Sequence, residues 1–269
     1  MKAITCTEKQ PTRAQLQYAI ERAVELRPSN ALVSRTVMRT PVNRVGGRAR
    51  LTLKVGYRWP VTGVRLTVRF LDGPSSALQK RILLHMNVWG KSANVSFVST
   101  RGDAQVRISR LDRPESMAGY WSYVGMQILG IQNQDEPTLN LEGFTMDVSE
   151  AEFKRVVRHE AGHTLGFEHE HMRKELVKRI DRNKAVRYFD LMQGWTARET
   201  MEQVLTPLST RSIMGTSEAD PVSIMCYHVP GAITKDGKAI LGGRDINRKD
   251  YAFAGTVYPK KVSKPKTVR

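Results

Sequence analysis

Four of the six histidines fall between positions 159 and 171, and that cluster is where the chemistry of the chain is legible. The segment reads His159-Glu160-Ala161-Gly162-His163-Thr164-Leu165-Gly166-Phe167-Glu168-His169, an H-E-x-x-H-x-x-G-x-x-H pattern. On a helix, His159 and His163 stand one turn apart on the same face. Two imidazoles so placed can reach one Zn²⁺ at about 2.0–2.1 Å. Glu160 lies beside them, where it can meet a metal-bound water without being a ligand. Gly166 can adopt the left-handed conformation that ends a helix, and the chain can then return His169 as a third ligand. Three histidines leave the fourth tetrahedral position open, the mark of a catalytic rather than a structural zinc site. At this chain's own residue frequencies the full pattern arises by chance in roughly one such chain in 10⁵. His171, two residues beyond His169, fits no ligand spacing and reads as a surface residue.

The elements that must position these residues are readable in outline. Ser149 with Glu152 forms a capping box, and Phe153, Val156 and Val157 give the helix it starts a buried face. Upstream, Val64-Arg65-Leu66-Thr67-Val68-Arg69-Phe70 alternates apolar and other residues as a half-buried strand does, closed by a turn at Asp72-Gly73-Pro74. Residues 77 to 89, with Leu78, Ile82, Leu83, Met86 and Val88, read as a helix crossing a sheet. Val95–Val98 and Ala104–Ile108 read as two further strands. The order strand, helix, strand, strand is an α/β opening. Ahead of it, Thr12 and Gln15 form a capping box for a helix carrying Leu16, Ala19, Ile20, Ala23 and Val24 on one face, stopped by Pro28. The chain divides into a basic N-terminal appendage or pro-segment (1–56), a catalytic domain (57–259) and a basic tail (260–269).

Composition narrows the classes. The chain has 269 residues, with 43 Lys and Arg against 26 Asp and Glu, a formal charge of +17. No stretch approaches the ~18 apolar residues of a membrane helix. The N-terminal residues MKAITCTEKQPTR show no apolar stretch of the secretory kind. Two cysteines, Cys6 and Cys226, allow at most one bridge. From Arg27 to Arg69 there are nine Arg and one Lys and no acidic residue, a run that reads as a solvated connector or an anion-binding surface. The charge points to an acidic partner or an anionic surface; nucleic acid is disfavoured, because no nucleic-acid motif or aromatic-basic interleaving is present. Asn94-Val95-Ser96 is a glycosylation sequon that matters only in a secreted chain.

At these residues the sequence resembles the metzincin zinc peptidases, and most closely their astacin branch. Gly166-Phe167-Glu168-His169-Glu170-His171-Met172-Arg173 matches the G-F-x-H-E-x-x-R continuation. Ser223-Ile224-Met225-Cys226-Tyr227 resembles the S-I-M-x-Y Met-turn. Trp121-Ser122-Tyr123-Val124-Gly125 resembles a segment upstream of the zinc helix. The resemblance implies an α/β (α+β) fold, with a twisted mixed sheet and long helices above a cleft and a less regular half below. It implies one catalytic Zn²⁺ on His159, His163 and His169, Met225 as a hydrophobic floor, and Tyr227 as a phenol near the metal. In the family the residue at Glu170 binds the mature N-terminus. A second triplet, Ser212-Ile213-Met214, lacks the tyrosine and is the weaker Met-turn candidate. The chain departs from the family in lacking its two disulfides, with Tyr120 where a cysteine precedes Trp, and in having no Asp before Asp72 to serve an aspartate latency device.

The chemistry implied is peptide hydrolysis. Zinc lowers the pKa of its water towards ~7, Glu160 is general base and then general acid, and the Tyr227 hydroxyl shares the oxyanion charge with the metal. The substrate would be a protein or peptide. The alternative is a basic polyanion- or nucleic-acid-binding protein with a non-catalytic zinc site. Cys6 has three readings: a buried free thiol, a bridge to Cys226, or a fourth zinc ligand that holds the enzyme latent. Localisation stays open between secretion, by family resemblance, and a leaderless or cytoplasmic enzyme.

Overall fold

The computed structural model describes residues 6–30, 57–111, 118–208 and 218–260. The Ser212-Ile213-Met214 triplet, most of the arginine-rich run and nearly all of the basic tail lie outside them.

The alternating strip 64–70 forms strand β2 (Val64–Phe70) as expected. Its Val64, Leu66 and Val68 are buried, while Arg65 is exposed. Strand β1 (Cys6–Glu8) precedes it, and β3 (Val95–Ser99), β4 (Val106–Ser109), β5 (Tyr120–Ser122) and β6 (Leu139–Leu141) follow. They form one six-stranded sheet in the order β1-β5-β6-β4-β2-β3. The sheet is mixed: β5 runs antiparallel to β6, and every other pair is parallel.

Helix α1 (Arg13–Leu26) has the Thr12–Gln15 capping box and buries Ala19, Ile20 and Ala23. It packs on the 3₁₀ turn Gly125–Gly130. The segment ahead of residue 31 therefore contributes both an edge strand and a core helix. Helix α2 (Ser76–Met86) is capped by Ser75 and buries Leu78, Ile82, His85 and Met86.

The third helix, α3, spans 150–164 and carries the zinc motif. Ser149 caps it, accepting from the Glu152 N–H, but the Glu152 carboxylate turns to Arg155 instead of closing the capping box. The chain widens to a π turn at Phe153–Val157 and returns to α geometry at Arg158–Thr164. Every residue of that last stretch is buried, charged ones included. A helix without a solvent face needs its end carbonyls met by protein. The Trp59 indole N–H donates to the Thr164 carbonyl at 2.9 Å, and the Tyr258 hydroxyl donates to the Leu165 carbonyl at 2.6 Å. Of two later helices, α4 (Arg182–Gln193) packs in the lower half, whereas α5 (Arg248–Val257) buries Ala254 and Val257 in the upper core.

Two apolar clusters result. The larger joins sheet, α1, α2 and α3, with Trp89 and Trp121 among its fully buried side chains. The smaller gathers Leu176, Phe189, Val204, Leu205, Val229 and Ile240 below the site. The turn 223–227 bridges them, since Met225 belongs to the first cluster and Cys226 to the second. No helix among the described residues is long and apolar enough to cross a membrane.

Candidate metal centre

Helix α3 brings His159 and His163 to one face, and its C-terminus turns His169 back towards them. The Gly166 N–H donates to the His163 carbonyl and the Phe167 N–H to the Gly162 carbonyl, at 2.7 and 3.0 Å. That pair is a Schellman motif, with Gly166 at the left-handed position, φ +96°.

The three rings then converge. His169 Nε2 lies 3.2 Å from His159 Nε2 and 2.9 Å from His163 Nε2. Their outer nitrogens are held by acceptors. His159 Nδ1 meets the Ile224 carbonyl at 2.6 Å, and His163 Nδ1 meets the Phe167 carbonyl at 2.7 Å. His169 Nδ1 lies 3.3 Å from Glu8 Oε1. A carbonyl accepts only from an N–H, so Nδ1 carries the proton and Nε2 presents a lone pair. Three such lone pairs facing one another in a buried pocket call for a cation. Zinc fits this donor set. Burial also pushes the His159 imidazole well down in pKa and that of His169 down to about 3, keeping both neutral as ligands must be.

Cys6 joins the group: one ligand atom each from Cys6, His159, His163 and His169 lie within 4.8 Å of one another. Neither cysteine forms a disulfide, so the Cys6–Cys226 bridge is not formed; Cys226 sits instead in the lower apolar cluster.

Glu160 is buried beside the histidines. The Ser122 hydroxyl on β5 donates to Glu160 Oε2 at 2.8 Å. Burial lifts its carboxyl to about 7, opposed by hydrogen bonds from Cys6 and Ser122. Met225 packs against the zinc helix where a Cβ on Gly162 would come 2.5 Å from its Sδ. A side chain at 162 would force that floor to shift. The Tyr227 hydroxyl donates to the Cys6 carbonyl. The Ser223 hydroxyl donates to Asp250 Oδ1 at 2.6 Å, and Asp250 Oδ2 accepts from the Ile224 N–H, which fixes the turn. Glu170 lies underneath, accepting from the Asp220 N–H at 2.9 Å, with its carboxyl raised to about 6 by burial.

One expectation is overturned. His171 is not a surface residue: it is fully buried, because its ring stacks on Tyr227 with centroids 4.0 Å apart. Its Nε2 meets the Gln203 carbonyl at 3.0 Å. The sequence alone does not mark Glu8 or Gln203 at the site, and Ser122 stands out only within the Trp121–Gly125 segment. β1 is too short to show a strand period, so nothing in the sequence marks Glu8 as sharing the face of Cys6.

The fold and this centre define a zinc metalloendopeptidase, acting on protein or peptide substrates. The model of the Astacin peptidase family matches residues 53–258, and the chain belongs to that family. Among solved structures it is similar to one of myroilysin, at 28% identity, TM-score 0.70, covering 77% of this chain and 97% of that one. A crystal structure of myroilysin also matches, at 28% identity and TM-score 0.56, covering 76% and 86% respectively. No curated protein matches the chain.

Two outcomes are expected. Gly166→Ala forces a side chain into left-handed backbone at a cost of roughly 1–2 kcal/mol and displaces His169, so zinc affinity in a chelator competition falls about tenfold or more; unchanged affinity would remove the Schellman turn from the argument. Acid should destabilise the metal-free chain. His159, His169 and His171 are held down by burial, the last two at about 3, whereas an unfolded histidine titrates near ~6.5. Below that pH the unfolded chain binds more protons, so stability present above it is lost as pH falls. Glu160 and Glu170, raised to about 7 and about 6, have the opposite sign, but two carboxyls face three imidazoles. The urea midpoint should fall between pH 7 and pH 5, and a rising midpoint contradicts the assignment.

Proposed function

We propose that the chain hydrolyses internal peptide bonds by water attack with Glu160 as general base, and that Cys6 on its own N-terminal segment holds it latent. The observation that carries this reading is the convergence of three oriented imidazole nitrogens beside a buried carboxylate. When bound, zinc supplies a Lewis acid and acidifies the attacking water.

Glu160 does the proton work. Its carboxyl, lifted to about 7 by burial, is matched to taking a proton near neutral pH and giving it to the leaving amine. Ser122 holds the Oε2 oxygen, which leaves Oε1 to face the reacting atoms. The Tyr227 hydroxyl is a buried donor beside His169, with ring centroids 4.3 Å apart. Burial, together with the neighbouring Cys6, Glu8 and Glu160, raises its pKa, so it stays protonated and can donate to a developing oxyanion. Met225 and the Asp250-braced turn keep the pocket floor rigid.

Latency follows from Cys6. Burial and the carboxylates Glu160 and Glu8 push its thiol well up in pKa in the absence of a metal. A thiolate there requires a cation, and the three histidines supply the place for one. Residues 1–56 then act as a pro-segment, with β1 across the site and Cys6 as the fourth ligand. The free-thiol reading of Cys6 is disfavoured by its proximity to all three histidines.

Two tests separate the parts. Glu160→Gln should keep one zinc per chain yet lose casein hydrolysis roughly 10²–10⁴-fold, and a chelator should abolish the wild-type rate, with recovery on adding zinc; substantial turnover by the variant would sink the general-base role. Cys6→Ala in the full chain should raise the initial hydrolysis rate at least tenfold and remove any lag. Equal rates with and without the thiol would end the latency reading.

A further inference from the structure

Strand β1 is held along both edges, and its outer edge is met by side chains and not by another strand. On the inner edge it pairs parallel with β5, Cys6 opposite Tyr120 and Glu8 opposite Ser122, and the Lys9 N–H donates to the Ser122 carbonyl at 3.3 Å. On the outer edge the Cys6 carbonyl accepts from the Tyr227 hydroxyl. Two residues on, the Glu8 N–H donates to Gln203 Oε1 at 3.2 Å, and Gln203 Nε2 donates back to the Glu8 carbonyl at 3.4 Å. One primary amide thus serves both main-chain groups of a single residue, as a neighbouring strand would.

Gln203 is itself fixed. It lies on the π turn Met201–Leu205, whose Val204 and Leu205 are buried in the lower cluster. Its carbonyl is engaged by His171, the imidazole that stacks on Tyr227. The amide and the phenol are therefore linked through one buried ring, and together they form a second rail opposite β5.

From this we infer that Gln203 is a peptide-binding residue of the cleft: it grips the main chain of an extended peptide at the residue two places from the one facing the metal. The inference rests on the peptidase reading and adds a substrate contact to it. β1 is the occupant seen here. Because the contacts are to backbone N–H and C=O, the grip is indifferent to side-chain identity and selects for extended conformation. It excludes a residue at that position whose nitrogen carries no hydrogen.

The test has two arms, both on the zinc-loaded full chain with Gln203→Met, which keeps length and loses both polar atoms. In the first, hydrogen exchange at the Glu8 amide should quicken about tenfold, while amides of β2 keep their rates. In the second, the Cys6→Ala chain is given a peptide substrate and a set of its singly N-methylated analogues. One position should exist at which methylation raises KM about tenfold with Gln203 present and less than twofold in the Gln203→Met chain. Comparing methylated with unmethylated substrate within each chain cancels any competition from β1. Unchanged exchange at Glu8 overturns the grip itself. Quickened exchange with equal methylation ratios in both chains overturns its use for substrates. If no variant hydrolyses any peptide, the peptidase reading falls, and the exchange arm still decides whether Gln203 grips a backbone.

Discussion

Three nitrogen lone pairs aimed at one buried point impose the constraint on which the rest of this protein depends. Such an arrangement is repulsive on its own, and it persists only because each ring is turned by what lies behind it. Two of the restraints are backbone carbonyls, from Ile224 and Phe167, and the third is the Glu8 carboxylate. The Ile224 carbonyl is in place because Asp250 ties the 223–227 turn. The Phe167 carbonyl is in place because the helix ends in a Schellman turn. Parts of the chain far apart in sequence are thus committed to orienting three imidazoles.

The constraint explains the departures from ordinary packing nearby. A helix buried on all sides would be expected to be apolar throughout, yet 158–164 carries Arg158, His159, Glu160 and His163. Arg158 turns outward to Asp245, and Glu160 is met by Ser122. A π turn stands just ahead of the motif, the sort of local widening often found at working sites. Gly162 provides the clearance through which Met225 approaches, so the floor and the helix fix one another's position.

How much of this was readable from sequence depended on how local each feature is. His159, Glu160 and His163 follow from helical periodicity, and Gly166 from its place after the helix, so the metal-facing set was legible residue by residue. Strand β2 showed in its alternation. β1 did not, because three residues carry no period, and their pairing with β5 joins positions 6–8 to 120–122. The same limit hid His171. Its spacing fits no ligand, but spacing is silent about a ring stacked on Tyr227 from a distant turn. Gln203 had no sequence signal at all, since its role arises only where a lower helix meets an N-terminal strand. Among the alternatives for Cys6, composition could count the thiols but could not choose between them.

The placement of β1 at the end of the sheet has a consequence for solubility. In the order β1-β5-β6-β4-β2-β3, the three residues of β5 would be an open border without β1. Tyr120 and Trp121 on that border suit cross-strand pairing with another molecule. Seated on that border, β1 therefore shields it from edge-to-edge association. A short border limits the hazard, since three residues offer few main-chain bonds to a neighbour of the wrong kind.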